Sequence, residues 1–315
     1  MKNIYTNIHS FNKNSVKKTV KFLNNGQIVG LPTETVYGLA GSAYSEKAVK
    51  RIFKLKKRPR INPLIIHYYD FEQASKDAIL NKDFFTLYKK FCPGPITFVL
   101  KKKNDSKICS SATAGLNTVA LRFPSHKAVR NLIKKTNFPL AMPSANISSG
   151  LSSVSALDVY DEFKNNLKII IDGGSSKFGI ESTVIDLTTK PKILRPGIIS
   201  AKDIKNLLRK NLSKKKTNIR SPGMMTKHYS PGIPIFLNKK PKNVSDAYIV
   251  FGKRHKNRKN FFNLSKKADL KEAAANLYKT MRKIKKKGYK KIFVSKIPNF
   301  STGIAINDRL KRASK

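Results

Sequence analysis

Two stretches concentrate groups that can do chemistry. Pro32-Thr33-Glu34-Thr35-Val36-Tyr37-Gly38-Leu39 sets threonine hydroxyls, a carboxylate and a glycine directly after an apolar, strand-like run. Lys56-Lys57-Arg58-Pro59-Arg60-Ile61-Asn62-Pro63 supplies cations ahead of a second such run. Lys56 and Arg58 can both neutralise phosphate charge, and Arg58 adds a planar fork that a lysine lacks. Pro59 and Pro63 stiffen the chain around Asn62, a rigidity that a solvent-facing basic turn does not need. Together the two stretches point to a pocket for a phosphorylated, anionic substrate.

Other unusual polar residues sit where strands end or begin. Arg122 closes one apolar run, Ser144 and Asn146 follow another, Glu181 and Ser182 open a third, and Arg195 follows a fourth. Loops at one edge of an open sheet gather into a crevice, so residues far apart in sequence can share a site. Bland readings stand beside this one. Ser144 and Asn146 start turns and helices well, and His67 at a strand end can bind substrate or simply pack. The segment from Ser221 to Pro231 carries prolines at both ends with Lys227, His228 and Tyr229 between them. It reads as a cover over a pocket or as a latch between domains. No GxxxxGK[ST] is present, so a P-loop ATPase is not supported. Cys92 and Cys109 form no CxxC, and the five histidines show no metal-ligand spacing.

The elements that must position these groups follow from periodicity. Helices are expected over 15–25, over 45–57 with Ser45 as N-cap, over 83–91, from Ser125 or His126 to 134, and over 200–210. Strands are expected at 28–31, 64–67, 96–100, 118–122, 140–142, 169–172, 182–187 and 192–194. This mixture argues for an α/β domain on a twisted sheet, although the irregular spacing does not spell out regular βαβ units. A basic, Pro/Gly-punctuated stretch follows. A new pattern then begins, with strands at 233–237 and 247–251, a helix over 270–285, a strand at 291–294 and a short terminal helix holding Arg309. The chain therefore divides into a first domain at 1–212, a linker at 213–232 and a small Rossmann-like α/β domain of parallel character at 233–315.

The chain of 315 residues carries 65 Lys+Arg against 18 Asp+Glu, a formal charge of +47. That imbalance favours a polyanionic partner such as RNA. Lysine is spread over nearly every segment, so a biased background composition explains it equally well. No RNP pair, KH loop or zinc finger supports a dedicated RNA-binding module. No apolar segment reaches the ~20 residues of a membrane span, and the polar start at 1–14 lacks a secretory core. The expectation is a cytoplasmic, reducing location with no membrane contact.

In combination, PTETVYGL, KxRP with a following NPL, LRFP, PSAN, GIESTVID, LRPG, SPGM…HYSP and the distal Ala305-Ile306-Asn307-Asp308-Arg309 closely resemble the threonylcarbamoyl-adenylate synthases of the longer, two-domain form, over nearly the whole chain. The resemblance implies a YrdC-type first domain with a twisted, mostly parallel sheet. It also implies synthesis of L-threonylcarbamoyl-adenylate from L-threonine, bicarbonate and ATP, with pyrophosphate release. The product would pass to a separate tRNA threonylcarbamoyl transferase complex, for N6-threonylcarbamoyladenosine in tRNAs reading codons that begin with A. Any direct RNA binding would be nonspecific. Carried over by motif, Thr33, His67, Arg122, Met142 and Ser182 match the threonine side, with Met142 acting through its backbone. Lys56, Arg58, Asn62, Thr118, Ser144, Asn146, Ser152, Arg195 and Tyr229 match the ATP side. Lys56 and Arg58, with Mg²⁺ accompanying the ATP, would stabilise charge at the phosphates. Residues 149–153 lack the proline-rich form usual after PSAN. Carbamoyl transfer to another acceptor would use the same pocket and differ in substrate choice.

Overall fold

The computed structural model describes residues 6–213, 228–253 and 258–315. Of the expected linker at 213–232, residues 214–227, Lys227 among them, lie outside the described residues. The first domain runs β1 (Ile8–Ser10), α1 (Lys13–Asn24), β2 (Val29–Leu31), β3 (Gly38–Ser42), α2 (Glu46–Lys56), β4 (Ile65–His67), α3 (Phe71–Ser75), α4 (Lys82–Phe91), β5 (Ile96–Lys101), α5 (Ser110–Thr113), β6 (Thr118–Arg122), α6 (Lys127–Lys135), β7 (Leu140–Ala141), α7 (Ala156–Phe163), β8 (Ile170–Asp172), β9 (Thr183–Asp186), β10 (Lys192–Arg195) and α8 (Ala201–Leu208). The second domain comprises β11 (Ile235–Leu237), β12 (Ala247–Val250), β13 (Phe261–Asn263), α9 (Leu270–Lys286), β14 (Ile292–Val294) and α10 (Thr302–Ala313).

The first sheet has the order β1-β8-β2-β3-β7-β4-β6-β5-β9-β10. It is mixed. The pairs β1–β8, β2–β8, β4–β6 and β5–β9 are parallel, and the other neighbours are antiparallel. The second sheet, β11-β14-β12-β13, is parallel throughout. Alternation along the strands sends side chains to two separate cores. Leu39 and Ile170 join α2, α4, α7 and α8, whereas Ala40, Ile169 and Ile171 join α1 and α6.

Local chemistry explains the elements that carry the site. In α2, Ser45 accepts from the Ala48 amide at 3.2 Å, and Ala48, Val49, Ile52 and Phe53 form the buried face. Lys57 then turns left-handed at φ 51°, and Pro59 prevents continuation. Helix α6 starts at His126, whose Nδ1 accepts from the Ala128 amide at 3.2 Å.

The two domains share one core. Val36, Leu151, Val154 and Ile180 of the first pack with α9 and α10 of the second. At Gly179, with φ +65°, a Cβ would fall 2.6 Å from the Cα of Ala275, so only glycine permits this approach of α9. Arg282 adds hydrogen bonds to Glu162 at 3.0 Å and to the Leu151 carbonyl at 2.6 Å. No described helix is long and apolar enough to cross a membrane.

Candidate active site

The β4–β6 register makes His67 and Arg122 direct neighbours at the ends of parallel strands. On the adjoining strand β5, Thr97 pairs with Arg122 and bonds the Ser182 hydroxyl at 2.8 Å. The loop after β2 closes over this edge. Thr33 Oγ1 donates to the Val36 carbonyl at 2.6 Å and accepts from the amides of Thr35 and Val36, which folds the loop into a tight turn. The turn aims Glu34 at Arg122, and they form a buried ion pair at 2.8 Å. The second Glu34 oxygen accepts from the Ser125 amide at 3.1 Å. Arg122 Nε is buried and makes no hydrogen bond among the described residues. Burial and the neighbouring Arg122 hold His67 neutral, its pKa well below the usual range. Gly38 leaves room for Met142, which would clash with any Cβ there.

A second group of cations faces the same space. Arg58 is fixed by Nε to the Asn62 carbonyl at 3.0 Å and Nη2 to the Pro63 carbonyl at 2.9 Å, so the turn between the two prolines aims its guanidinium. Burial pulls its pKa down to about 9, and it stays cationic near neutrality. Arg195 is held by Ser182 through both the carbonyl and the hydroxyl, each at 3.1 Å. Thr33, Arg58, His67, Arg122, Met142, Ser144, Glu181, Arg195, His228 and Tyr229 share one lining, around a small, partly open space of about 40 Å³. Ser182 supports it from behind through Arg195.

Other expected contacts lie elsewhere. Lys56 Nζ bonds the carbonyls of Ser144 and Asn146, both at 2.5 Å, and is fully buried. Burial, followed by repulsion from Arg58, pushes its pKa well down. In this structure Lys56 shapes the Ser144–Asn146 loop and does not line the chamber. Asn146 donates to the carbonyls of Ile147 and Gly150, a turn-building role. Asn62 contributes its backbone carbonyl to Arg58. Ser152 lies behind the chamber and donates to Glu181 at 2.5 Å. Thr118 begins β6, about 13 Å from Arg122 at its other end. It lines a separate surface cleft with Lys101 and Thr188. The structure does not bring Thr118 to the chamber.

Glu181 is a wall residue that motif matching passed over. Its oxygens accept from Ser152, from Tyr278 Oη at 3.2 and 3.1 Å, and from Arg309 at 2.8 Å. Arg309 and Arg195 hold its pKa down to about 2 despite burial. A carboxylate so acidic and so fully occupied is not a general base. Its signal in the sequence was a carboxylate inside the apolar run Gly179-Ile180-Glu181-Ser182-Thr183-Val184. Above it lies Tyr229, left-handed at φ 65° and 1% exposed, its hydroxyl without a partner among the described residues. The His228 ring lies against Tyr229, centroids 4.0 Å apart and planes tilted by 46°. Burial depresses the His228 pKa to about 3.

The family described as Telomere recombination matches residues 21–197, and the family described as Threonylcarbamoyl-AMP synthase, C-terminal domain, matches residues 199–315. A threonylcarbamoyl-AMP synthase of Pyrococcus abyssi is 36% identical over 314 residues, spanning 93% of this chain and 92% of that protein. One from Bacillus subtilis is 32% identical over 327 residues, spanning 97% and 94%. The crystal structure of P. abyssi Sua5 complexed with L-threonine superposes with a TM-score of 0.88 at 34% identity, covering 98% of this chain and 96% of that one. A variant of the same protein, with a histidine and a tyrosine changed to alanine, gives 0.87 at 33% identity.

Proposed function

We propose, for a chain that belongs to the threonylcarbamoyl-AMP synthase family in its two-domain form, that it joins L-threonine, bicarbonate and ATP into L-threonylcarbamoyl-adenylate, with release of pyrophosphate and water. One observation carries this reading: two unlike cation sets meet on one chamber, Arg122 beside Thr33 and His67, and Arg58 with Arg195 beside Ser144. A guanidinium with a spare N–H suits an amino acid's carboxylate, and a pair of fixed guanidinia suits phosphates. The threonine complex of the P. abyssi relative supports the first assignment.

Bicarbonate takes up a proton and loses water to give carbon dioxide, and threonine's amine attacks that carbon and releases a proton to form a carbamate. A carbamate oxygen then attacks the α-phosphorus of ATP, and pyrophosphate leaves. Arg122, held in place by Glu34, orients the amino acid. Neutral His67 adds no competing charge to that wall. Arg58 and Arg195 meet the charge that grows on the phosphoryl oxygens, and their backbone and hydroxyl anchors fix them beforehand. No protein nucleophile is required, and orientation of the short-lived carbamate supplies much of the rate.

With these side chains as they stand, the partly open space of about 40 Å³ holds little more than water. ATP therefore binds only after His228 and Tyr229 move, and their return shields the carbamate and the mixed anhydride from water. The Mg²⁺ expected with ATP meets no protein ligand set among the described residues. Among the described residues no group of three His, Cys, Asp or Glu can hold a metal, and the oxygens of Glu34 and Glu181 are already engaged. It belongs to the substrate, as MgATP, and no step is assigned to it. The product is an activated carbamoyl donor suited to a tRNA-modifying transferase.

The test is incubation with L-threonine, bicarbonate and MgATP, with mass spectrometry for the adenylate and a parallel pyrophosphate assay. Pyrophosphate output that does not depend on threonine would refute the reading.

A further inference from the structure

We propose that Arg309, on α10 of the second domain, is a positioning residue for the chamber of the first, holding Glu181 and the ring of Tyr229 in their closed arrangement. The inference rests on the reaction proposed above. Arg309 is fully buried and donates from Nε to Glu181 at 2.8 Å and from Nη1 to Asp308 at 2.8 Å. Its guanidinium carbon stands 5.0 Å from the centre of the Tyr229 ring. Tyr278 flanks the same tyrosine at 5.8 Å and ties itself to both Glu181 oxygens. Ser152 completes the set from the first domain.

Tyr229 has no hydrogen bond through its hydroxyl among the described residues, so its position depends on the groups against its faces. One of those is a cation over the ring, which attracts the face electrostatically. The same cation is the direct ion-pair partner of Glu181, a wall of the chamber. Domain docking does not need Arg309. The shared apolar core, Arg282 on Glu162 and Lys286 on Asp161 already join the two bodies. A buried ion pair adds little to stability beyond well-packed apolar groups, so its placement under the cover points to the site.

The full chain and its Arg309→Gln variant decide this with two readouts. The first is adenylate formed per pyrophosphate released, corrected for decay of the adenylate in buffer. If the cover is loose, water attacks the mixed anhydride in the site, giving AMP and threonine carbamate, which falls to threonine and carbon dioxide. Pyrophosphate is still counted while product is lost, so the ratio should drop about tenfold. Arg309→Lys keeps a charge for Glu181 but not the fork, and should give an intermediate ratio. The second readout needs no substrate. The ring signals of ¹⁵N-labelled His228, whose ring is in tilted contact with Tyr229, should shift in Arg309→Gln. An adhesive role alone would lower the melting temperature and leave both readouts at wild-type values, which overturns the proposal. If Arg309→Gln does not fold, Arg309→Lys with a wild-type ratio and an unmoved His228 signal overturns it equally. If the wild type makes no adenylate, the reaction is wrong, and the His228 signal alone decides whether Arg309 positions the cover.

Discussion

Glu34 and Arg122 meet at 2.8 Å in an ion pair with about 5% of either side chain exposed, although one follows β2 and the other ends β6. The turn made by Thr33 sets the carboxylate, and the carboxylate sets the guanidinium. Glu34→Ala would leave Arg122 as a buried, unpaired charge. The expected cost is about 3 kcal/mol of stability, with weaker threonine binding because the fork is no longer aimed. Thermal unfolding and calorimetric titration with threonine check both. Wild-type threonine affinity in a folded variant would remove Glu34 from the site.

Lys56→Met separates two roles. The side chain keeps its bulk, but the carbonyls of Ser144 and Asn146 lose their donor. About 1–3 kcal/mol of stability should go, and ATP affinity should fall as the loop relaxes. A lower kcat at unchanged melting temperature and unchanged ATP affinity would instead mean that Lys56 meets the transition state directly.

His228 makes the cover sensitive to acid. Its pKa is about 3 in the folded protein against an ordinary 6.5, because burial disfavours the charged ring. Between those values the released ring binds more protons than the seated one. Stability of the closed cover is therefore full above pH 6.5 and is lost as pH falls toward 3. Nuclear magnetic resonance of the His228 ring should show the released state gaining population below pH 6. A cover whose population stays constant from pH 7 to 4 would contradict this.

Gly179→Ala should loosen the two domains. The new methyl lands 2.6 Å from the Ala275 Cα, and alanine is strained at φ +65°. A loss of about 1–3 kcal/mol is expected, together with lower turnover as Glu181, two residues on, shifts. A wild-type melting temperature would show that α9 gives way at no cost.

Much of the first domain was legible because its helices carry both caps and faces. Ser45 and the spacing of Ala48, Ile52 and Leu55 locate α2 within a residue. Strand β3 was not legible. Gly38-Leu39-Ala40-Gly41-Ser42 has no β-branched residue, and its neighbours β2 and β7 make it a strand through backbone pairing. Helix α7 was missed although Ser155 caps it and Ala156, Val159 and Phe163 repeat at helical spacing. The three-residue β1 is fixed by pairing with the distant β8, and β13, also three residues long, by pairing with β12. At the site, residue types pointed to the chamber, but not to what each group is bonded to. Lys56 Nζ is bonded to the carbonyls of Ser144 and Asn146, and Thr118 begins β6 while Arg122 ends it. Those outcomes depend on which carbonyls and strand ends meet in space.

Ile8 pairs with Ile170, and Glu181 waits for Arg309. Both joins close long loops, which makes them late events in folding. A chain emerging N-terminal end first can build most of its first sheet while the chamber still lacks a wall and its cover. Refolding from denaturant should then be heterogeneous in time. Far-ultraviolet circular dichroism should recover first, and the capacity to retain the adenylate should return only after a lag set by docking of the second domain.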